Sequence, residues 1–555
     1  VGAYARGGNI LAATFEPNAI ATTATTDNKA YGLFRSTDGG QTFSLLSGSG
    51  SLPNGAVSSL IADPINQNVF YAAVTIASAG GYKNAAVYKS IDDGQSWAPI
   101  FTKDTLASGQ ANVIANATSQ VVLKLSAGPN GSIAIATEQD GVLNGLYLQP
   151  NSGASWSKLA VPNVNSGSQA NTDLTIQIDN KNTSIVYVAG DRVASYSSDQ
   201  PWTVSAYRVQ VDSDPVSLTG PNNTGNNSTV HADSRAFAMD SAGNLYLTTD
   251  GGIYVRSNPQ SGSGVWSGLN GLGLQISEAY SVAYGANAGL FIRSSQDTGT
   301  ALQSLSGNTN YTNIGGGDGI NALASDSTFS GYSTFYFSAQ NLGELSRLVT
   351  NGNDTPYYAA VYCNNDYCSN ASDASNNFSA PITLNKANSS YLAIGGSHVL
   401  IAQDTSPLNA GTANLATVDL GNAQGDVTTI AYGTSDNLNV LLAGSDGTKN
   451  YGASTNGTLW LSTTGIAGSL SNLNSYSGAV PTSLIFDQRS QNRFYVADTY
   501  DVWATSNQGT TIQSLTANFS SNITRPTSVE FINSNGVNAL LVGGLMTASN
   551  LASPI

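Results

Sequence analysis

The chain of 555 residues carries a formal net charge of −15, and only 10% of its residues are charged. It is too long for one small core, so we expect several domains or one large repeat assembly. Its 20 Lys and Arg residues form no basic stripe, and no apolar run approaches the ~18 residues of a membrane helix. Nucleic acid partners and membrane insertion are therefore not expected.

The composition indicates a β protein with many turns. Gly, Ser, Thr, Asn and Ala dominate, yet aromatic and β-branched residues are plentiful, which separates the chain from disordered sequences. The sequence begins at Val1 without a signal-peptide pattern, and we expect a mature or trimmed product. A neutral, hydroxyl- and amide-rich surface favours an extracellular or cell-surface location.

The first recognisable motif is a turn sequence at Ser36–Phe43, which returns at Ser90–Trp97. Its pattern is a hydroxyl residue, any residue, Asp, any residue, Gly, any residue, Ser or Thr, and an aromatic residue. Looser copies occur at Gln149–Trp156 and Thr505–Ile512, where Asn replaces Asp. We call these four segments boxes.

The residue types of a box are those that a tight hairpin needs. Gly adopts positive φ, the short Asp or Asn side chain accepts from turn amides, and the aromatic residue packs between neighbouring sheets. We therefore assign the box residues a structural role. They are Asp38, Gly40, Phe43, Asp92, Gly94, Trp97, Asn151, Gly153, Trp156, Asn507 and Gly509.

The boxes belong to a longer repeat of short strands separated by Gly- and Asn-containing turns. The most complete copy spans residues 56–100, with four strands ending at a box. Such units are typical of propeller blades. The copies are 9–46, 56–100, 121–159, 173–209, 234–270, 278–316, 321–351, 389–422, 426–476 and 480–519, and residues 527–550 begin an eleventh with about two strands.

The box resembles the Asp-box, or BNR repeat, of the sortilin-like, xyloglucanase-like and sialidase-like β-propellers of secreted bacterial or archaeal type. In those families it closes the hairpin between the two outer strands of a blade. The repeat and the resemblance together predict an all-β propeller of about ten four-stranded blades, in two rings or in one large ring. We divide the chain at 1–270 and 271–555, the second set ending in an incomplete blade.

Four short motifs in the middle of the chain are the candidates for ligand or ion binding. They resemble Gly-rich motifs in successive blades of large secreted bacterial propellers of the sortilin-like or xyloglucanase-like kind. They contain His231, Asp233, Asp250, Asp297 and Asp318. Converging carboxylates would suit Ca²⁺ or an acid/base pair acting on a sugar, whereas isolated ones would cap their own turns. We assign no catalytic residue and no cofactor, with Ca²⁺ as the one candidate ion.

Comparison with the enzymes of these families gives no catalytic match. Xyloglucanase-like hydrolases carry a catalytic Asp in an early turn, and Asp27 is the only carboxylate in the corresponding region. The sialidase arginine motif is matched by Phe34-Arg35 alone. Trp202, Trp460 and Trp503 are either sugar-stacking residues or core.

Three stretches break the repeat, at residues 102–120, 210–233 and 352–380. Long excursions between blades carry binding surface in many propellers, and neutral solvated insertions are the alternative. The third stretch contains Cys363 and Cys368, which we expect to form a local disulfide.

The interpretation we adopt is a non-catalytic extracellular β-propeller that serves as a structural or recognition module of a cell surface, matrix or appendage. Its expected partners are other surface or matrix chains, polysaccharide, or further copies of itself. The alternative is a secreted polysaccharide-active glycoside hydrolase of xyloglucanase-like or sialidase-like type. A further alternative is a sortilin-like peptide-binding receptor domain.

Overall fold

The computed structural model describes most of the chain. The described residues are 2–6, 8–15, 31–49, 51–76, 84–102, 104, 121–194, 202–220, 223–270, 277–343, 345–363, 366–367, 377–447, 456–465, 468–515, 523–534 and 537–546. Asp27, Cys368 and nearly all of the predicted excursion at 102–120 lie outside these ranges.

The chain forms two compact units, Val1–Ile276 and Ser277–Ile555. The first unit contains β1 (Gly2–Arg6), β2 (Asn9–Thr14), β3 (Gly32–Ser36), β4 (Ser44–Leu45), β5 (Gly55–Ala62), β6 (Phe70–Ile76), β7 (Asn84–Ser90), β8 (Ala98–Phe101), β9 (Val121–Ala127), β10 (Ile133–Gln139), β11 (Val142–Gln149), β12 (Ser157–Lys158), β13 (Thr175–Ile178), β14 (Ile185–Ala189), β15 (Ala206–Gln210), β16 (Val216–Ser217), β17 (Ser234–Met239), β18 (Leu245–Thr249), β19 (Gly252–Arg256) and β20 (Trp266–Gly268).

The second unit continues the same pattern. It contains β21 (Ala279–Gly285), β22 (Leu290–Ser295), β23 (Gly299–Gln303), β24 (Tyr311–Gly315), β25 (Gly319–Ser325), β26 (Ser333–Ala339), β27 (Ser346–Thr350), β28 (Tyr357–Cys363), β29 (Asp366–Tyr367), β30 (Ile382–Leu384), β31 (Tyr391–Gly395), β32 (His398–Asp404), β33 (Thr412–Asn422), β34 (Val427–Tyr432), β35 (Leu441–Ser445), β36 (Thr458–Ser462), β37 (Ser471–Asn472), β38 (Pro481–Asp487), β39 (Ser490–Asp498), β40 (Val502–Thr505), β41 (Gln513–Ser514), β42 (Ile523–Ser534) and β43 (Val537–Met546).

Successive strands pair antiparallel into four-stranded sheets, one for each predicted repeat, and β42 and β43 form a final two-stranded hairpin. The predicted all-β fold of about ten four-stranded blades is confirmed. Helical structure in the described residues is limited to short 3-10 turns, among them Pro129–Gly131 and Gln340–Leu342. In the same part of the chain, no helix is long and apolar enough to cross a membrane.

Within each unit, consecutive sheets pack face to face. The buried clusters each combine residues of two neighbouring sheets, as when Tyr71 of β6 and Tyr147 of β11 fill one core. The first strands of consecutive sheets also contact one another, for example β5 with β9 and β34 with β38. The Ser58 hydroxyl of β5 donates to the carbonyl of Leu123 in β9 at 3.0 Å. First strands therefore line the inner side of each unit and fourth strands its outer side.

Each box forms the turn between the third and fourth strands of its sheet. In the second sheet the Asp92 carboxylate accepts from the amides of Gln95 and Ser96 at 3.0 and 2.9 Å and from the Ser96 hydroxyl at 2.5 Å. The Ser90 hydroxyl accepts from Gly94 N–H at 2.9 Å. Gly94 has φ of +78° and leaves no room for a Cβ, which would lie 2.7 Å from Leu11.

The Asn-containing box at Thr505–Ile512 keeps the same bonds. Its Asn507 Oδ1 accepts from the amide of Thr511 at 3.0 Å, and the Thr505 hydroxyl accepts from Gly509 N–H at 3.2 Å. An amide oxygen therefore replaces a carboxylate oxygen in this turn without changing its geometry. Gly40, Gly153 and Gly509 likewise have positive φ.

Three features of the fold differ from the sequence expectation. The fourth strand of the fourth sheet, β16, lies inside the predicted excursion at 210–233. The fourth strand of the seventh sheet, β28, lies inside the predicted excursion at 352–380 and pairs parallel with β33, which joins the seventh and eighth sheets. Phe43, the aromatic residue of the first box, is 46% exposed. The aromatic residues of later boxes pack against the preceding sheet of the chain, and the first sheet has none before it.

Candidate functional site

Aspartates recur at one end of the sheets, where first strands begin and second strands end. They lie within two residues of the start of a first strand or of the end of a second strand. The first group is Asp173, Asp233, Asp318 and Asp426, and the second is Asp140, Asp191, Asp250, Asp297, Asp446 and Asp498. The four predicted aspartates belong to this larger set, two in each unit.

In the first unit, the group is organised around Arg235. A β-bulge at the start of β17 inserts one unpaired residue, and that residue is Arg235. Bulges redirect a side chain out of the regular alternation of a strand. The guanidinium forms a bidentate pair with Asp250, from Nε to Oδ1 at 2.7 Å and from Nη2 to Oδ2 at 2.6 Å. Its third nitrogen, Nη1, bonds to the carboxylate of Asp173.

Asp173 is the more buried of the two carboxylates that Arg235 contacts. Its side chain is 1% exposed, while those of Asp250 and Arg235 are 16% and 44% exposed. Burial raises the pKa of Asp173 to about 6, although the neighbouring Arg235 charge acts in the opposite direction. A carboxyl with such a pKa gains its proton at a higher pH than a free aspartate does, but this one has little contact with solvent.

Asp233 and His231 lie beside this ion pair. Asp233 adopts a left-handed backbone with φ of +64°, and its N–H donates to the carbonyl of Asp191 at 2.9 Å. Burial, followed by the nearby charge of Asp250, raises the pKa of Asp233. His231 packs against Gly251, where an added Cβ would lie 2.4 Å from its side chain. The glycine after Asp250 is therefore required by close approach of the histidine.

In the second unit, Asp297 and Asp318 are joined by a backbone bond. Asp318 Oδ1 accepts from the N–H of Asp297 at 2.9 Å, and Asp318 N–H donates to Gln340 Oε1 at 2.9 Å. Asp297 has φ of +57°. Asp318 thus caps the turn that carries Asp297, which belongs to the preceding sheet, whereas the turn-capping alternative predicted that each aspartate caps its own turn.

Exposed aromatic residues accompany these turns. Tyr280 is the bulged residue of β21 and its hydroxyl donates to Gln296 Oε1 at 2.9 Å. Burial of the hydroxyl, and then the negative charge of Asp318, raise the pKa of Tyr280. The ring itself is 44% exposed.

Two of the remaining recurrent aspartates, Asp191 and Asp446, are turn caps that the sequence analysis did not single out. Asp191 Oδ2 accepts from the amides of Gly167 and Gln169 at 3.0 and 3.2 Å. Asp446 Oδ1 accepts from the N–H of Asp426 at 2.9 Å. These aspartates share a position beside the end of a strand. The sequence reveals that position only when the strand boundaries are predicted accurately.

Arg235 and Asp173 were also not predicted as site residues: Arg235 lies two residues after Asp233 but was given no role, and Asp173 stands in no candidate motif. Arg235 already supplies the positive charge that Asp173 and Asp250 face, so the bonding of the first unit does not require a cation there. Ca²⁺ binding stays a prediction. Cys363 is buried at the end of β28, and its pairing with Cys368 stays a prediction as well.

The three candidate tryptophans have different surroundings. Trp460 is core, 7% exposed. Trp202 is 57% exposed, with the Arg192 guanidinium 5.7 Å from its ring centroid. Trp503 lies in the wall of a cleft in the second unit.

Comparison with known proteins identifies the class of fold. No protein-family model and no curated protein matches the chain. Among solved structures, it is similar to the GH74 xyloglucanase from Xanthomonas campestris, with a TM-score of 0.51 and 14% identity over 97% of this chain and 73% of that one.

Two further structures are similar at a lower level. A GH74 enzyme of Niastella koreensis gives a TM-score of 0.45 at 14% identity, over 94% of this chain and 63% of that one. An ancestral GH74 enzyme gives a TM-score of 0.47 at 14% identity, over 97% and 92%. The chain spans less than two thirds of the length of the Niastella enzyme. At this identity the likeness shows the fold, and the chain is a β-propeller protein.

Proposed function

We propose that the chain is a non-catalytic extracellular propeller of the Asp-box type that recognises polysaccharide as a module of a cell surface, matrix or appendage. The observation that carries the proposal is that mid-chain carboxylates are already bonded to groups of the protein itself. Both oxygens of Asp250 are bonded to Arg235, and Asp318 Oδ1 is bonded to a backbone amide.

This use of the carboxylates does not suit glycoside hydrolysis. That reaction generally needs one carboxyl that holds a proton and a second that is free to attack or to activate water, about 5–10 Å apart and open to the sugar. The carboxyl with a pKa raised to about 6 is Asp173, which is 1% exposed. The carboxylate next to it in the ion pair, Asp250, is neutralised by a guanidinium.

The second candidate function is a secreted glycoside hydrolase, and it is favoured by the similarity in fold to the Xanthomonas xyloglucanase. Asp297 is the carboxylate best placed for it, because it lies on a turn at the strand ends and is half-buried. A propeller fold hosts many functions, so the likeness alone does not select this one.

A panel of soluble polysaccharides separates the two functions. Retardation of the protein in native gels that contain a polysaccharide measures binding, and release of reducing ends measures hydrolysis. We expect retardation without release. Release that disappears in Asp297→Asn or Asp318→Asn would replace the proposal by the hydrolase alternative.

A further inference from the structure

A cleft in the tenth sheet of the fold, within the second unit, has features of a small ligand site. It lies where β38 begins and β39 ends and has a volume of about 260 Å³. That space equals roughly nine water molecules at about 30 Å³ each, which is the scale of one small ring rather than of a peptide or a helix. Its lining residues come from the segment before β36, the loop before β38, the end of β39 and the loop after it, and β40.

The floor of the cleft is fixed by Asp498. This carboxylate is 1% exposed, and its Oδ2 accepts from Tyr476 Oη, the amide of Ala479 and Trp503 Nε1 at 2.9, 2.9 and 2.7 Å. Its Oδ1 accepts from the amides of Tyr500 and Asp501 at 2.8 and 2.7 Å. A buried carboxylate that accepts from four N–H groups, and shares the Tyr476 hydroxyl with the carbonyl of Ala479, holds the residues around it in one arrangement.

Two aromatic rings form the wall and the mouth of the cleft. Trp503 is held by its bond to Asp498 and by an edge contact with Tyr476, whose ring centroid lies 5.6 Å away. Tyr500 stands at the mouth and is 61% exposed. The backbone amide of Tyr500 is hydrogen-bonded while its side-chain ring is exposed. The loop therefore presents the apolar face and the polar hydroxyl of this ring to solvent.

The polar lining suits a neutral, hydroxyl-bearing ligand. Asn456, Ser477 and Asp501 line the cleft and offer amide, hydroxyl and carboxylate groups to ligand hydroxyls. Among the described residues that line it, none is Lys, Arg or His. With a carboxylate in the wall and a chain net charge of −15, an acidic sugar would be repelled.

We propose that this cleft binds one neutral sugar residue of a polysaccharide, stacked on the ring of Tyr500 and hydrogen-bonded to Asp501. The inference rests on the proposed function, recognition of polysaccharide, and adds the location of a subsite and the charge class of its ligand. Asp498 acts as a positioning residue that holds Tyr500 and Trp503.

Affinity gels with a neutral β-glucan, a neutral galactomannan and acidic polygalacturonate test the subsite. We expect the wild-type chain to bind at least one neutral polymer, and Tyr500→Ala and Asp501→Asn to weaken that binding about tenfold, equivalent to about 1.4 kcal/mol. Tyr357→Ala, which removes a 39% exposed tyrosine on β28, is the matched control and is expected to bind as the wild type. Quenching or a shift of Trp fluorescence that disappears in Trp503→Phe would support binding in this cleft.

The outcomes separate the subsite from the function. Binding to a neutral polymer that Tyr500→Ala leaves unchanged, while thermal unfolding shows the variant to be folded, overturns the subsite and keeps the proposed function. Binding to polygalacturonate alone overturns the neutral charge class. No binding of any polymer by the wild type overturns both the subsite and the proposed function.

Discussion

Arg347 and Asp404 form an ion pair from which solvent is fully excluded. Nη1 of the arginine lies 3.0 Å from Oδ2 of the aspartate, and both side chains are 0% exposed. The Tyr336 hydroxyl donates to the same carboxylate oxygen at 2.7 Å, and Arg347 Nη2 donates to the carbonyl of Pro407 at 2.8 Å. The pair joins β27 of the seventh sheet to the end of β32 in the eighth.

Removing one member of this pair leaves an uncompensated charge in the core. We expect Arg347→Met to lower the free energy of unfolding by about 3–5 kcal/mol, because Asp404 remains buried with only neutral partners. Urea denaturation, followed by Trp fluorescence, measures the loss. The double variant with Asp404→Leu should recover part of it.

The control for this prediction is Arg493→Gln. Arg493 is 45% exposed and lies 3.3 Å from Asp487, which keeps its second partner Arg489. Its loss is expected to cost no more than about 1 kcal/mol. Equal effects of Arg347→Met and Arg493→Gln would contradict the role assigned to the buried pair.

Much of the fold could be predicted from the sequence because the repeat is local. Each blade is a meander of neighbouring strands, so turn residues and apolar runs define it within about 50 residues. The pairing of β28 with β33 could not be predicted in this way. The pairing joins strands from different repeats. One of the two, β28, lies in a stretch of the sequence that is rich in Asn and Ser.

The candidate site was less accessible to sequence analysis. Asp-Gly motifs drew attention to Asp250 and Asp318, but their partners Arg235 and Gln340 carry no local signal. Asp173 lies more than 60 residues from Arg235 and meets it only because neighbouring first strands pack side by side. Hydrogen bonds between residues of different sheets depend on which sheets are neighbours. The pattern of strands in the sequence does not by itself specify those neighbours.

The carboxylate of Asp92, in the box of the second sheet, makes the stability of the first unit depend on pH in the acid range. Burial acts to raise the pKa of Asp92, but the Ser96 hydroxyl and amide, together with Ser90, lower it to about 2. A carboxyl with a folded-state pKa below its unfolded value of about 4 stabilises the fold above that value, and the contribution disappears as pH falls toward 2.

We therefore expect Asp92→Asn to reduce the pH dependence of thermal unfolding between about pH 4 and 2. The variant should stay folded at pH 7, because Asn507 makes the equivalent bonds in its own box. Melting curves followed by circular dichroism check this. Identical slopes for wild type and variant across that range would refute the assignment.

For Asp173 we expect the free energy of unfolding to depend on pH in the opposite direction. Its folded-state pKa of about 6 lies above the unfolded value of about 4, so the folded state holds the proton more tightly. The contribution of this group to stability is present at low pH and is lost as pH rises from about 4 to 6. Asp173→Asn should flatten that slope, with a gain near pH 7 on the order of 2–3 kcal/mol at most.

Asp240→Asn is the control for Asp173. Hydrogen bonds from the Asn244 side chain and amide lower the pKa of Asp240, so its contribution is lost as pH falls. The two variants should therefore change the pH profile of unfolding in opposite directions. Chemical denaturation from about pH 2 to 7 gives the comparison, because Asp240 acts below about pH 4 and Asp173 between about pH 4 and 6, and changes of the same sign would contradict the burial argument for Asp173.

Box aromatic residues should matter in proportion to their contact with the preceding sheet. Trp97 is 5% exposed and packs in the core shared with the first sheet, against Leu11 and Leu33. Its indole N–H also donates to the carbonyl of Gly94 at 3.2 Å. Trp97→Ala is expected to lower the free energy of unfolding by about 3–5 kcal/mol through the cavity and the lost apolar burial.

Phe43 occupies the same box position in the first sheet and is 46% exposed. Phe43→Ala should therefore cost less than about 1 kcal/mol, since substitutions of exposed residues rarely exceed that. Urea denaturation of both variants under one condition makes the comparison. A large decrease in the free energy of unfolding for Phe43→Ala would contradict this prediction. It would mean that the Phe43 ring is buried against a neighbouring sheet in solution.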